Sequence, residues 1–405
     1  MSLAELQELE ARYAMPTYAR APVEFVRGSG ARLWDADGKE YLDFFAGLSV
    51  HNAGHCHPRI AAAISGQAER LGGVSNLYYT EPAMRLCERL ATSSLGGRVF
   101  LCNSGAEANE CAIKLVRKHA HERGVAAPEI VVLENAFHGR TLGTLAATPR
   151  LAREDLFGPL PAGFASVPRN DPGALRDAVG GQTAAVIIEP IQGEAGIFPI
   201  ADEVLLAARE ACDASGALLV LDEIQSGMGR TGSLWAYEQL PVRPDLITAA
   251  KALGGGLPVG ACVTTPELGE VLGRGDHGST FAGAPIAAAA ALAALEVIDD
   301  ATLLRRVREL GARFMETLSA LSGIAQVRGR GLMVGASLDD GLDAGEIAAR
   351  ALDDGLVVNV PAPGMLRFLP PLIVGEREVD AANETMARVL GHHGTGVREG
   401  RRGHT

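Results

Sequence analysis

The sequence predicts an α/β fold: a mainly parallel central sheet with helices on both faces, joined to a smaller α+β unit. Three observations carry this. Between residues 97 and 265, short apolar runs alternate with helix-length amphipathic segments. The runs are apolar at successive positions rather than at every second one, which marks strands covered on both faces. Toward both ends of the chain the patterns become shorter and mixed.

Taken in order, the first structured segment is 33–44, two strand-like runs around the turn Asp37-Gly38. Asp35-x-Asp37-Gly38 resembles the start of a calcium loop, but the glycine comes too early and no glutamate closes it, so a hairpin is expected. Strands follow at 99–101, 130–133, 184–188, 218–221, 246–249 and 259–263, with helices such as 107–119 and 203–214 between them. From about residue 286 one long Ala/Leu/Arg-rich helix leads into a mixed segment. The expected division is residues 1–48 as the N-terminal segment of a small domain, 49–285 as a large domain, and 286–405 as the C-terminal part of the small domain. The tail from Gly391 reads as a frayed end without function.

The chain has 405 residues, 47% of them hydrophobic, with a formal charge of −12. A large buried core is therefore possible, while nucleic acid and anionic membranes are poor partners because both require a basic face. Six scattered cysteines form no Cys-x-x-Cys pair, which suits free thiols in a reducing compartment. The first residues carry acids where a signal peptide would carry basic ones, and the apolar stretch 283–295 is too short to span a bilayer. A cytoplasmic protein is expected.

The chemistry concentrates at predicted strand ends. Lys251 follows the run 245–250 and precedes Ala252-Leu253-Gly254-Gly255-Gly256, while Asp222 ends the run 217–221. A carboxylate at one strand tip and an amine at a later one suit pyridoxal phosphate. The amine can bond the aldehyde, and the carboxylate keeps the pyridine nitrogen protonated. Ser104-Gly105-Ala106 lies between a strand and a helix, where free backbone N–H groups form a natural phosphate cradle. After the next strand, Phe137 can stack on an aromatic ring, and Arg140 can fork onto a carboxylate. Glu189 and Glu194 follow strand 184–188, on the edge where parallel sheets bind ligands. Ser279-Thr280 forms a hydroxyl-bearing loop, and Arg367 precedes the rigid turn Pro370-Pro371.

Two motifs are set aside. Gly227-x-Gly229-x-x-Gly232 has the dinucleotide spacing, but Lys251 stands where an acidic residue should follow. His55-Cys56-His57 is too tightly spaced for a common metal site, so a turn before Pro58 is expected and no metal is assigned.

Five motifs in this order, 103–109, 137–141, 189–194, 221–232 and 250–256, resemble the class III, fold type I pyridoxal-phosphate-dependent transferases. Within these aminotransferases the acetylornithine branch is most similar, and the resemblance runs from about residue 20 to 390. It implies Lys251 as the lysine joined to the cofactor aldehyde, Asp222 as the pyridinium partner, and Gln225 as the contact of the phenolic oxygen. It implies Ser104, Gly105 and Ala106 at the phosphate, Phe137 against the ring, and His138 in the cofactor site. Thr280 would reach the phosphate of a neighbouring subunit, so a homodimer with shared sites is implied. Arg140 and Ser279 match substrate contacts, and Arg367 matches the arginine that takes glutamate's α-carboxylate.

The resemblance further implies transamination of N2-acetylornithine with 2-oxoglutarate, giving N-acetylglutamate 5-semialdehyde and glutamate, a step of arginine biosynthesis. Glu194 would neutralise Arg367 until glutamate arrives. Leu48 stands where ornithine aminotransferases carry a tyrosine, which favours an acylated donor. His51-Asn52-Ala53 departs from the usual acetylornithine-type loop. Succinylornithine, ornithine, 4-aminobutyrate and aminoadipate semialdehyde are the alternative substrates. A non-catalytic pyridoxal-phosphate-binding regulator is the alternative of another class, although no basic helix-turn-helix accompanies the scaffold.

Overall fold

The computed structural model describes residues 1–152 and 154–394. At its centre lies a seven-stranded sheet in the spatial order Val99–Cys102, Gly260–Thr264, Leu246–Ala249, Leu218–Asp222, Thr183–Ile188, Glu129–Leu133, Phe164–Val167. Each neighbouring pair from Leu246–Ala249 to Phe164–Val167 is parallel. Gly260–Thr264 runs antiparallel to both of its neighbours. The sheet is thus mainly parallel with one reversed strand. Thr183–Ile188, Leu218–Asp222 and Leu246–Ala249 are buried at every position, which is why their sequences are continuously apolar.

This topology positions the site. With only one strand reversed, Cys102, Leu133, Ile188, Asp222 and Ala249 all end on the same edge of the sheet. The segments that follow them therefore converge there, as they do in open parallel sheets generally. The longest helix of this region, Gly105–Glu122, starts at that edge, where the Ser104 hydroxyl accepts the Glu107 N–H at 3.2 Å.

Around this core the two ends of the chain combine. Phe25–Ser29, Arg32–Asp35 and Glu40–Asp43 form an antiparallel sheet, to which Leu356–Val357 adds a parallel fourth strand. Ile324–Arg330, Met333–Leu338 and Met365–Phe368 form a second antiparallel sheet. In the expected hairpin, Asp35 Oδ1 accepts the N–H groups of Asp37 (3.1 Å) and Lys39 (2.8 Å), so the carboxylate shapes the turn.

Three expectations need correction. The single long helix after residue 286 is two helices, Pro285–Ile298 and Ala301–Ser319. Asp300 caps the second, accepting the Leu303 N–H at 2.8 Å, and aspartate favours caps over helix interiors. Phe164–Val167 is an unforeseen edge strand, too short and too exposed to leave an apolar run. The last helix, Glu376–Gly394, carries through the first residues of the expected frayed tail; residues 395–405 lie outside the described part.

One turn is unusual. Ala46–Ser49 is left-handed, with φ of 48°, 59°, 66° and 65° in succession. Residues with a Cβ resist this region by about 1–2 kcal/mol each. Asp43 Oδ1 opposes the strain by accepting the N–H groups of Phe45 and Ala46, both at 2.8 Å. Among the described residues, no helix is long and apolar enough to cross a membrane.

Candidate active site

A cavity of about 440 Å³ opens at the C-terminal edge of the central sheet. From two loops at that edge come Ser104, Gly105, Ala106, Phe137, His138 and Arg140. Glu194, Asp222, Gln225 and Lys251 complete the wall on the other side. Ten residues expected at the site are thus brought together from sequence positions spread over nearly 150 residues.

Lys251 starts the short turn Lys251–Gly254, immediately past the strand Leu246–Ala249, with φ +47°. A non-glycine residue held in that region commonly marks a functional site. Burial pushes the Lys251 amine below its usual value, with Glu194 pulling against this and Arg367 adding to it. A lowered amine pKa leaves more of the neutral nucleophile at neutral pH.

Asp222 is fixed from three sides. Its Oδ2 accepts from Asn109 Nδ2 at 2.8 Å and lies 2.7 Å from His138 Nδ1, while Oδ1 accepts the Ile224 N–H at 3.1 Å. Asn109 is itself held, donating to the His138 carbonyl at 2.8 Å and accepting from Thr248 Oγ1 at 2.8 Å. Burial works against a charged His138, but the hydrogen bond and charge of Asp222 outweigh it and raise the imidazole pKa. His138 Nε2 is buried with no hydrogen-bond partner among the described residues. Next to this cluster, Glu189 accepts the Phe137 N–H at 3.0 Å, and burial pushes its carboxyl up to about 7.

Across the cavity an ion pair closes the wall. Arg367 is 1% exposed, and its Nη1 donates to Glu194 Oε1 at 2.6 Å and to the Gly193 carbonyl at 3.1 Å. Asn359 Oδ1 accepts from Arg367 Nε at 3.0 Å and Nη2 at 2.6 Å. Desolvation would raise the Glu194 carboxyl, yet Arg367, Lys251 and Gln225 together outweigh it and lower the pKa. Arg140, by contrast, is exposed, with its guanidinium 5.6 Å from the ring centre of half-buried Phe137.

Three expected residues do not line this cavity: Arg367 lies behind Glu194, and Ser279 and Thr280 lie off it. Ser279 Oγ accepts from Asn103 Nδ2 at 2.9 Å, and Asn103 lines the cavity. Thr280 is exposed and borders a second, larger hollow of about 1020 Å³, together with Leu77, Tyr78, Tyr79 and Phe281. Of the two motifs set aside, 227–232 forms turns and opens no helix, and His57 caps the helix Pro58–Ala68.

Sequence reasoning gave no role to Asn109 or Asn359 and none to Glu189 beyond its place at a strand end. Asn109 sits inside a quoted motif, one helical turn past Gly105, on the face turned toward the sheet; that spacing was the available signal. Asn359 had none, because its pairing with Arg367 is an isolated bridge between distant segments.

The residues present fit pyridoxal phosphate. A depressed amine and a doubly anchored carboxylate line one cavity with the N-terminus of an 18-residue helix. At that terminus Gly105 leaves no room for a side chain: a Cβ would meet Ile224 Cδ1 at 2.7 Å. The backbone there stays open to a phosphate group. Among the described residues, no cluster of His, Cys, Asp or Glu is arranged to hold a metal ion.

Comparison with known proteins agrees. The family described as aminotransferase class-III matches residues 13–390. An acetylornithine aminotransferase from Methanocaldococcus jannaschii is 47% identical over 395 residues, covering 96% of this chain and 99% of its own. An ornithine aminotransferase from Toxoplasma gondii superposes with a TM-score of 0.93 at 34% identity, covering 97% of this chain and 96% of its own. An acetylornithine aminotransferase from Elizabethkingia anophelis gives a TM-score of 0.87, also at 34% identity, with 96% and 99% covered. The fold, the cavity and these likenesses agree: the chain belongs to the class III aminotransferases, which depend on pyridoxal phosphate.

Proposed function

We propose that this enzyme moves the δ-amino group of N2-acetylornithine to 2-oxoglutarate, yielding N-acetylglutamate 5-semialdehyde and glutamate. The observation that carries this reading is the Arg367–Glu194 pair. An enzyme handling first a terminal amine and then an α-amino acid needs a carboxylate receptor that can be switched off. Arg367 is such a receptor, and Glu194 covers it.

Pyridoxal phosphate, when bound, supplies an aldehyde that takes up the amino group and a ring that accepts the electron pair left at the reacting carbon. The chain's own residues do the rest. Lys251 holds the cofactor and then carries the proton at its Nζ, a role usually worth ~10²–10⁴-fold. Asp222 keeps the ring nitrogen protonated, with Asn109 and His138 orienting its carboxylate. Gln225 would contact the phenolic oxygen, Phe137 would lie against the ring, and Ser104, Gly105 and Ala106 would hold the phosphate. Arg140 and Ser279 bind the donor's carboxylate end. Without Glu194, Arg367 would sit buried and unpaired while the donor is bound, a cost of ~3–5 kcal/mol.

The working unit in this reading is a cytoplasmic homodimer. Leu77, Tyr78, Tyr79 and Phe281 are 71–93% exposed around the hollow that Thr280 borders. So large an apolar surface suits burial against a second copy, with Thr280 reaching the partner's phosphate site. The division into a large domain, 49–285, and a small domain from both chain ends is part of the same proposal, supported by the sheet that Leu356–Val357 shares with the N-terminal strands.

The likeness to an ornithine aminotransferase favours free ornithine as a second reading, whereas Leu48 favours the acylated donor. An assay of glutamate formation from 2-oxoglutarate decides between them, run with acetylornithine, succinylornithine, ornithine and 4-aminobutyrate. Acetylornithine is expected to give the highest kcat/KM. A higher value with any other donor would reassign the substrate and leave the aminotransferase chemistry untouched.

A further inference from the structure

The loop 227–232, set aside as a dinucleotide motif, contains the most completely buried cation of the described residues. Arg230 is 0% exposed, and its acceptors are all neutral oxygens. Its Nε donates to Ser49 Oγ at 2.9 Å, and Nη1 donates to the carbonyls of Leu332 (2.9 Å) and Pro370 (2.6 Å). Nη2 donates to Asn52 Oδ1. Among the described residues no carboxylate accepts from it. Asp43, whose charge influences it, already serves Phe45, Ala46 and His55.

These acceptors belong to particular segments. Ser49 ends the strained left-handed turn, and Asn52 follows three residues later. The two are linked, since Ser49 Oγ donates to Asn52 Oδ1 at 3.0 Å, and Asn52 Nδ2 returns to the Met228 carbonyl at 2.8 Å. Pro370 lies three residues past Arg367, and Arg230 itself follows Asp222 on the same loop. The guanidinium therefore joins the turn, the loop of the pyridinium partner and the segment of the carboxylate receptor. The turn packs beside Lys251–Gly254, and Val50, the next residue, lines the cavity. Apolar side chains of similar volume would leave the carbonyls of Leu332 and Pro370 without this donor. A planar fork with fixed donor directions instead sets angles.

We propose that Arg230 is a positioning residue: it locks the turn Ala46–Ser49 in its left-handed form and so sets the donor-facing wall of the cavity relative to Arg367. This rests on reading the cavity as the site where the amino donor binds. Loss of the fork lets the turn relax toward ordinary backbone angles, which moves Leu48 and Val50 but leaves Lys251, Asp222 and their partners in place.

The test uses Arg230→Lys, which keeps the charge and loses the fork, and Ser49→Ala, which removes one acceptor and leaves Arg230 intact. Hydrogen–deuterium exchange is read on the full chain with and without pyridoxal phosphate, alongside steady-state kinetics with the donor that the unmodified enzyme uses best. In both variants the amides of residues 46–50 are expected to exchange at least about tenfold faster. The donor KM is expected to rise at least about fivefold, with kcat within about twofold. If Arg230→Lys does not fold, Ser49→Ala decides. Unchanged exchange at 46–50 in a folded variant overturns the proposal, and so does faster exchange with an unchanged donor KM. An error in the substrate assignment would surface separately, in the donor preference of the unmodified enzyme.

Discussion

The two ends of the cavity are built differently. The Lys251–Asp222 end rests on the central sheet: both residues sit at tips of adjacent parallel strands, and the carboxylate is clamped by Asn109 and His138. The Arg367–Glu194 end is assembled from distant segments, a C-terminal strand, the loop 193–194 and Asn359. The first end is tied to rigid backbone, while the second depends on one ion pair whose carboxylate is still 23% exposed. The contrast teaches where each task belongs. In the proposed function, chemistry common to every turnover sits on the sheet, and the choice between two substrates sits on the Arg367–Glu194 contact.

Substitutions at the two ends should therefore separate. Lys251→Ala is expected to have the largest effect, lowering both half-reactions by at least ~10³-fold, because nucleophile and proton carrier are lost together. Rapid-mixing single turnovers with donor and with glutamate measure this, and a loss confined to one half would undo the shared role. Arg367→Ala comes next. It removes the carboxylate receptor, and kcat/KM for glutamate should fall by ~10²–10³-fold while the δ-amine half falls far less. Glu194→Ala should show the opposite bias, slowing the δ-amine half about tenfold and sparing the glutamate half. Equal losses in both halves would remove the switching role of Glu194.

The smallest expected effect concerns Glu189. Its folded-state carboxyl titrates at about 7, above the ordinary 4.5, because of burial. Between those values the folded chain binds the extra proton, so stability falls as pH rises from 4.5 to 7 and levels off above. Glu189→Gln keeps an oxygen for the Phe137 N–H and should flatten that slope, raising the melting temperature by a few degrees at pH 8 while changing it little at pH 4.5. A variant that melts in parallel with the parent at both pH values would contradict the assignment.

The sequence made the first end far more legible than the second. Fully buried parallel strands must be continuously apolar, so Leu218–Asp222 and Leu246–Ala249 announce themselves and place Asp222 and Lys251 at their tips. Arg367 was visible through its resemblance, but Asn359 was not, since an isolated bridge leaves no periodic trace. Phe164–Val167 escaped for a related reason, being four residues at a half-exposed edge. Arg230 was visible only as part of a glycine motif that meant something else. Its acceptors, at positions 49, 52, 332 and 370, become neighbours only through tertiary folding.

The central claim is that one amine, Lys251 Nζ, carries the cofactor opposite Asp222. Borohydride reduction of the pyridoxal-phosphate-loaded protein, followed by peptide mass mapping, tests it most directly. A pyridoxyl phosphate group is expected on the peptide that contains Lys251 and on no other lysine peptide. Label on a different lysine, or none after loading, would contradict it.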